Sequence, residues 1–95
     1  MNVHVILVYD INTEDNAGKK RLPKVLKICR KYLVHVQKSV FEGHLTEGQY
    51  TRLQHELGRV VDKKADFVIA YKLGDGVKLE KDILTETPDP TDNFL

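Results

Sequence analysis

The chain has 95 residues, of which 41% are hydrophobic and 31% are charged, and this composition is typical of one globular domain. A single cysteine excludes an internal disulfide and favours a reducing compartment, and no segment approaches the ~20 apolar residues of a membrane span. The net charge of +1 hides an asymmetry, because residues 19–38 carry eight Lys or Arg and no acid, whereas residues 80–95 carry five acids and one base. We therefore expect a cytoplasmic protein with a polyanion partner for one region and a protein partner for the other.

The first predicted element is a β-strand over Val3–Tyr9, which is rich in β-branched and aromatic residues. Its odd and even positions are both apolar, so both faces of the strand need cover. Asp10 follows directly at the end of this run.

Residues 12–18 are polar and predict a loop, and a helix follows with an apolar stripe at helical spacing. Pro23 fits near the start of this helix or at a kink. The stripe consists of Leu22, Val25, Leu26, Cys29, Tyr32 and Leu33. The other side is basic and is either a phosphate-binding surface or a solvated helix face. Its members are Lys19, Lys20, Arg21, Lys24, Lys27, Arg30 and Lys31.

Residues 34–45 are predicted to be extended, and Thr46 to Gln49 then form a capping box that opens a second helix. This helix turns one apolar side inward, made of Tyr50, Leu53, Leu57, Val60 and Val61. A strand over Phe67–Leu73 follows, again apolar on both faces. Gly74–Gly76 predicts a turn into a short strand around Val77–Leu79. The segment at about 85–95 predicts an extended tail that ends in Phe94 and Leu95.

This order of elements predicts one α+β domain over residues 1–95, a ferredoxin-like sandwich whose antiparallel sheet carries two helices on one face. Two helices cover only one face of the sheet, and the strands are apolar on both. A second copy of the chain is the economical cover for the other face, so we expect a homodimer that packs sheet against sheet.

Asp10 lies on the same side of its strand as Ile6 and Val8. If this side is the dimer face, two Asp10 carboxylates approach each other, and a hard cation such as Mg²⁺ relieves their repulsion. The alternative is an aspartate that ends a strand and binds its own loop backbone. The four histidines lack zinc-like spacing, and Cys29 falls on the apolar stripe, which is typical of a core residue.

Four segments resemble the family of small CRISPR-associated adaptation proteins, the nuclease-like partners of the CRISPR integrase: VILVYDI, KKRLPKVLKICRKYL, VQKSVFEG and FVIAYKL. The resemblance runs from Val3 to Leu73. It implies a ferredoxin-like homodimer in which the two copies of Asp10 share a divalent cation, Mg²⁺ or Mn²⁺. It also implies that VQKSVFEG holds a strand, a tight bend and the next strand.

By the same resemblance, the catalytic candidates are Tyr9, Asp10, Ser39 and Phe41, with Asp10 as the metal ligand. The nucleic-acid-binding candidates are Lys19, Lys20, Arg21, Lys24 and Arg30. Relatives often carry an arginine where this chain has His35, so a permanent cation is not expected at this position. Additional carboxylate ligands are open, and the chain offers Glu14, Asp15 and Glu42.

Three functions remain open from the sequence. The first is a Mg²⁺-dependent endonuclease in antiviral defence and spacer acquisition that cuts single-stranded RNA or double-stranded DNA. The second is a non-catalytic DNA-binding scaffold of the integrase complex, in which the acidic tail helps to dock the integrase subunit. The third is an RNA-cutting toxin, or a small regulatory domain, of related fold.

Overall fold

A computed structural model describes residues 2–91 and shows the predicted α+β architecture. The strands are β1 (Asn2–Asp10), β2 (Val34–Gln37), β3 (Val40–Thr46) and β4 (Phe67–Leu73), and the helices are α1 (Asn16–Tyr32) and α2 (Glu47–Gly58). The four strands form one antiparallel sheet in the order β2-β3-β1-β4. This order and connectivity are those of a ferredoxin-like fold, which confirms the predicted fold class.

The core lies between the two helices and one face of the sheet. Odd-numbered residues of β1 point into it because side chains alternate along a strand. The hairpin between β2 and β3 turns at Lys38 and Ser39, as the resemblance implies. Cys29 is fully buried in this core, and burial raises the pKa of its thiol to about 12. The thiol is therefore a packing group, as its position on the apolar stripe predicts.

The start of α1 differs from the prediction. The helix begins at Asn16, before the end of the predicted loop, because the Asp15 side chain accepts a hydrogen bond from the backbone N–H of Gly18 and caps the first turn. Pro23 consequently lies inside the helix, where its exposed ring replaces one backbone N–H donor. The start of α2 follows the prediction, with both hydrogen bonds of the capping box between Thr46 and Gln49 present.

The predicted strand at Val77–Leu79 is absent from the structure. The turn before it is present, with Gly76 at φ 83° and a hydrogen bond from the Val77 N–H to the Gly74 carbonyl, but the following residues join no strand. Residues 74–91 instead cross the sheet face opposite the helices, which we call the open face.

An ion-pair network holds this crossing segment on the open face. The Lys81 Nζ lies 2.7 Å from the Glu42 carboxylate and 3.2 Å from that of Asp89, and it donates a 2.8 Å hydrogen bond to the Thr91 hydroxyl. The Glu42 carboxylate also lies 2.6 Å from the His4 ring. The segment therefore covers the half of the open face formed by β2 and β3. The predicted tail end, Phe94 and Leu95, lies outside the described residues.

Neither helix within residues 2–91 has the length and apolar character that a membrane crossing requires.

Candidate active site

Asp10 is the last residue of β1 and is exposed on the open face. It pairs across the sheet with Phe67, the first residue of β4. The carboxylate lies at the rim of an open pocket of about 330 Å³, which is lined by residues 10–14 together with Ala65 and Phe67. The backbone thus brings the strand-end acid, the loop after it and the start of β4 to one place.

Of the three further carboxylates considered as ligands, only Glu14 lines this pocket. Asp15 caps α1, and Glu42 is bound to His4 and Lys81. Glu42 also pairs across the sheet with Ile6, about 13 Å along the strand from Asp10. Within residues 2–91 no three carboxylate, histidine or cysteine side chains form a metal-binding group. Among the residues described, one copy of the chain therefore offers two carboxylates at this pocket, Asp10 and Glu14, and carboxylate oxygen is the ligand type that Mg²⁺ or Mn²⁺ prefers.

An apolar patch adjoins Asp10 on the half of the open face that residues 74–91 leave uncovered. Phe67 is 63% exposed and Tyr71 is 56% exposed, unusually high values for aromatic side chains in a sheet. The patch consists of Ile6, Val8, Phe67, Ile69 and Tyr71. The acid at the end of β1 is thus bordered by surface that water solvates poorly.

Tyr9 and Phe41 lie on the other side of the sheet from Asp10, in the core. Phe41 is fully buried, and its ring centroid lies 6.0 Å from that of Tyr9. Phe41 therefore departs from the expectation that it is a catalytic residue, because a side chain with no exposed area does not contact a substrate. Burial is the main cause that raises the pKa of Tyr9.

The hairpin turn between β2 and β3 is attached to the end of β1 by Tyr9. Its hydroxyl donates a hydrogen bond to the Lys38 carbonyl, and its backbone N–H donates to the Ser39 carbonyl at 3.0 Å. His35 stacks on Phe41 with ring centroids 4.3 Å apart, and its Nε2 lies 3.0 Å from the Lys38 carbonyl. These residues fix the turn beside the strand end, where Lys38 is exposed and Ser39 is half-buried.

The basic side of α1 is exposed, as the sequence predicts for most of its members. At about 100° per residue these side chains occupy one arc of roughly 140° on the helix. We call this arc the basic face; it consists of Lys19, Lys20, Lys24, Lys27 and Arg30. Lys31 falls within the same arc but is left out of the basic face because it forms an ion pair with Glu56 on α2. The face carries five cations without an acid on the same helix, so its local potential is positive.

Arg21 departs from the expectation that it shares the basic face. It lies about 60° beyond Lys24, next to the buried stripe, and its side chain is 15% exposed. Its Nε and Nη2 donate to the two carboxylate oxygens of Asp66 at 2.9 and 3.0 Å. This bidentate pair is the main cause that lowers the pKa of Asp66 to about 2.

No pattern in the sequence indicates Asp66 and Asn12 as neighbours of the site. Asp66 stands in a polar turn 45 residues after Arg21, and the Asn12 N–H donates to its carboxylate at 2.9 Å. Only the pairing of β4 with β1 brings the three residues together, and no local pattern encodes that pairing.

The fold places the chain in a class of small ferredoxin-like proteins that includes solved structures. A crystal structure of Streptococcus pyogenes Cas2 at pH 6.5 superposes with a TM-score of 0.68 at 38% identity, covering 82% of this chain and 99% of that one. Residues 1–81 match the family model described as CRISPR associated protein Cas2. The chain belongs to this family, as the resemblance in its sequence indicates.

Relatives of known name cover nearly the whole chain. The CRISPR-associated endoribonuclease Cas2 2 of Moorella thermoacetica is 66% identical over 91 residues, which are 96% of this chain and 100% of the relative. The CRISPR-associated endonuclease Cas2 of Halalkalibacterium halodurans is 37% identical over 84 residues, 88% of each chain. The names of these relatives describe nucleases.

Proposed function

We propose that the chain is a metal-dependent endonuclease of CRISPR adaptation and antiviral defence, which hydrolyses phosphodiester bonds as a homodimer. The observation that carries this proposal is the exposed carboxylate of Asp10 at the end of a central strand, bordered by an exposed apolar patch. Family membership and the names of the relatives favour an endonuclease over a non-catalytic scaffold.

The dimer is proposed to form through the apolar patch on the open face. Burying Phe67 and Tyr71 against a second copy removes apolar area from water at roughly 25 cal/mol per Å². Asp10 lies on the same face and next to Phe67, so a twofold axis near this end of β1 brings two Asp10 carboxylates together. Each copy then completes the partial ligand set of the other.

In such a dimer the two Asp10 carboxylates, with Glu14 at the same pocket, would hold Mg²⁺ or Mn²⁺. A divalent cation bound there activates a water and offsets charge on the phosphate. The chain's own contribution is to present two acids at a fixed separation beside side chains that exclude bulk water. Tyr9 contributes indirectly, because its hydrogen bonds fix the hairpin turn beside the strand end.

The basic face is proposed to bind the nucleic-acid backbone, with Lys19, Lys20, Lys24 and Arg30 as the phosphate contacts. These side chains are exposed, and no exposed aromatic residue is interleaved with them on α1. Such contacts read charge and backbone geometry and not base sequence. RNA is the first substrate class to test, because the Moorella relative is named an endoribonuclease, and DNA is the second.

Asp10→Asn tests the proposed function, because the variant keeps the size of the side chain and removes its charge. We expect a folded dimer whose Mg²⁺-dependent cleavage of single-stranded RNA or double-stranded DNA falls by about a hundredfold or more, since metal-held charge stabilisation is worth several kcal/mol. Asp82→Asn is the matched control, because Asp82 is an exposed aspartate of the crossing segment. Equal cutting by wild type and Asp10→Asn would reject the proposal.

The integrase subunit is proposed as a protein partner, supported by the family resemblance and by the acidic composition of residues 80–95. Residues 92–95 hold one of these acids and the apolar pair Phe94 and Leu95. Their deletion spares the network around Lys81, so the domain is expected to stay intact. We expect the truncated chain to remain dimeric and to bind the purified integrase more weakly in a titration. Unchanged affinity would refute this docking role.

A further inference from the structure

The Asp66 carboxylate is the centre of a buried polar cluster behind Asp10. Its side chain is 1% exposed and accepts four hydrogen bonds. Two come from Arg21, and the others come from the backbone N–H groups of Asn12 at 2.9 Å and Asp62 at 2.8 Å. Asp66 directly precedes Phe67, the residue that pairs with Asp10. Asp66 is thus one residue before Phe67 in the chain, and Asn12 is two residues after Asp10.

Three polar groups of Asn12 are hydrogen-bonded, namely the backbone N–H, the backbone carbonyl and the side-chain Oδ1. Its N–H donates to Asp66, and its side-chain Oδ1 accepts from the Glu14 N–H at 2.9 Å. Its carbonyl accepts from the Arg21 Nη2 at 3.4 Å and lies so close to Gly18 that a Cβ there would be 1.7 Å away. The loop after Asp10 thus packs against the first turns of α1 and is held there by these contacts.

We propose that Arg21 and Asp66 form a clamp on Asn12 that fixes the loop Ile11–Glu14 and thereby the direction of the Asp10 carboxylate. In this role Arg21 is a positioning residue for the endonuclease and not a phosphate contact. The inference rests on the proposed function and assigns a different task to Arg21 from that of the lysines on the basic face.

The contacts of Arg21 favour positioning over phosphate binding. The Nε and Nη2 groups of Arg21 both donate to Asp66, and Nη2 also donates to the Asn12 carbonyl. Because Nε and Nη2 are both engaged, a phosphate that used this edge of the guanidinium would displace the carboxylate and leave a buried charge on Asp66 without its cation, which is strongly unfavourable. The cations of the basic face are exposed and meet a phosphate without such a loss.

Clamping the loop matters because cation binding and phosphate attack depend on small displacements. A misplacement of about 1 Å can cost a hundredfold in rate. Groups that orient a metal ligand from behind typically change metal affinity or activity by about 10–100-fold when they are removed. The clamp connects α1, the loop after β1 and the start of β4, so it holds the Asp10 region from three elements.

Two variants and one control test the clamp in the full-length protein. Arg21→Lys keeps the charge but loses the bidentate fork, and Asp66→Asn keeps the shape but loses the charge. Lys24→Ala is the control, because it removes an exposed cation of the basic face. The measurements are Mn²⁺ affinity by electron paramagnetic resonance, hydrogen exchange of the Asn12 amide, kcat and KM, and the salt dependence of nucleic-acid binding.

For the clamp we expect both variants to lower Mn²⁺ affinity and kcat by about tenfold, with KM and the salt slope unchanged. The Asn12 amide exchanges faster in both, and the double variant is no worse than either single one. Lys24→Ala instead raises KM and lowers the salt slope by about 0.7–0.9.

A raised KM for Arg21→Lys, with normal Mn²⁺ affinity for Asp66→Asn, would make Arg21 a phosphate contact and overturn the clamp. If Asp66→Asn does not fold, Arg21→Lys decides, because it retains the ion pair's charges. If the wild type cuts neither RNA nor DNA, the proposed function fails, whereas the Asn12 amide and Mn²⁺ affinity still decide the clamp.

Discussion

Among single residues, Asp66 ties the site to the stability of the domain. The Arg21 guanidinium is the main cause that lowers its pKa from 3.8 to about 2, and the N–H groups of Asp62 and Asn12 act in the same direction. A carboxyl group with a lowered pKa in the folded state stabilises the protein above its unfolded pKa. This stabilisation is lost as the pH falls from about 4 towards 2.

We therefore predict that Asp66→Asn is less stable than wild type at pH 7 and that this difference shrinks in acid. The pH-dependent part should be on the order of 2 kcal/mol, as the shift from 3.8 to about 2 requires. Urea unfolding at several pH values between 7 and 2 measures it. Asp82→Asn, at an exposed aspartate, should follow the wild-type curve, and a constant difference for Asp66→Asn would contradict the pKa.

The sequence predicts the position of Asp10 well, because an acid directly after an apolar strand must lie at the strand end. It predicts Arg21 poorly, since helical spacing alone groups this residue with its basic neighbours. The ion pair with Asp66 depends on which strands are adjacent, and that is decided by the packing of the whole domain. The packing of the domain also decides that Tyr9 on β1 and Phe41 on β3 belong to the core, because both side chains lie on the face of the sheet that the helices cover.

Among the elements, α2 has the most strongly encoded start. Thr46 is both the last residue of β3 and the N-cap of α2, so strand and helix meet without a loop. It also pairs across the sheet with Asn2. The capping box therefore fixes the helix start relative to the register of β3 on β1.

We predict that Thr46→Ala lowers the free energy of unfolding by about 1 kcal/mol, because the Gln49 N–H loses its acceptor at the helix start. Thermal and urea unfolding measure the loss. Thr51→Ala is the control within the same helix, since the Thr51 hydroxyl only returns a hydrogen bond to the Glu47 carbonyl. Equal stability of Thr46→Ala and wild type would show that the cap is replaced by water.

The elements that the sequence predicts correctly have either a local signal or a strong period. β4 has the predicted bounds, and α2 begins at its capping box. The start of α1 is predicted too late, because the cap at Asp15 lacks a reciprocal residue. The strand at Val77–Leu79 is predicted wrongly, because alternation alone does not supply a neighbouring strand with which to pair.

For the whole molecule, one half of the open face is covered by the chain itself and the other half is exposed. Residues 74–91 lie over the β2–β3 half, where Lys81 joins Glu42 to Asp89, while the apolar patch on β1 and β4 stays exposed. The sequence predicts that the second face is too apolar for water. It does not reveal that part of this face is covered by the chain itself, because that contact depends on single charges far apart in sequence.

We predict that Phe67→Lys weakens self-association by about 2 kcal/mol, or roughly 30-fold in Kd, since it replaces the most exposed aromatic side chain of the apolar patch with a charge. Sedimentation velocity over a dilution series measures the dissociation constant. Thr51→Lys adds the same charge on the helix side of the sheet and should leave association unchanged. A wild-type protein that sediments as a monomer at all concentrations would refute the dimer.

The buried thiol of Cys29 is a built-in probe of local unfolding. It is the single thiol of the chain, it has no exposed area, and a pKa of about 12 keeps it in the unreactive protonated form. An alkylating reagent consequently modifies the native chain only during transient local unfolding that separates α1 from the sheet. The labelling rate of the wild-type chain, followed by mass spectrometry, therefore measures how often this local unfolding occurs, without an introduced probe.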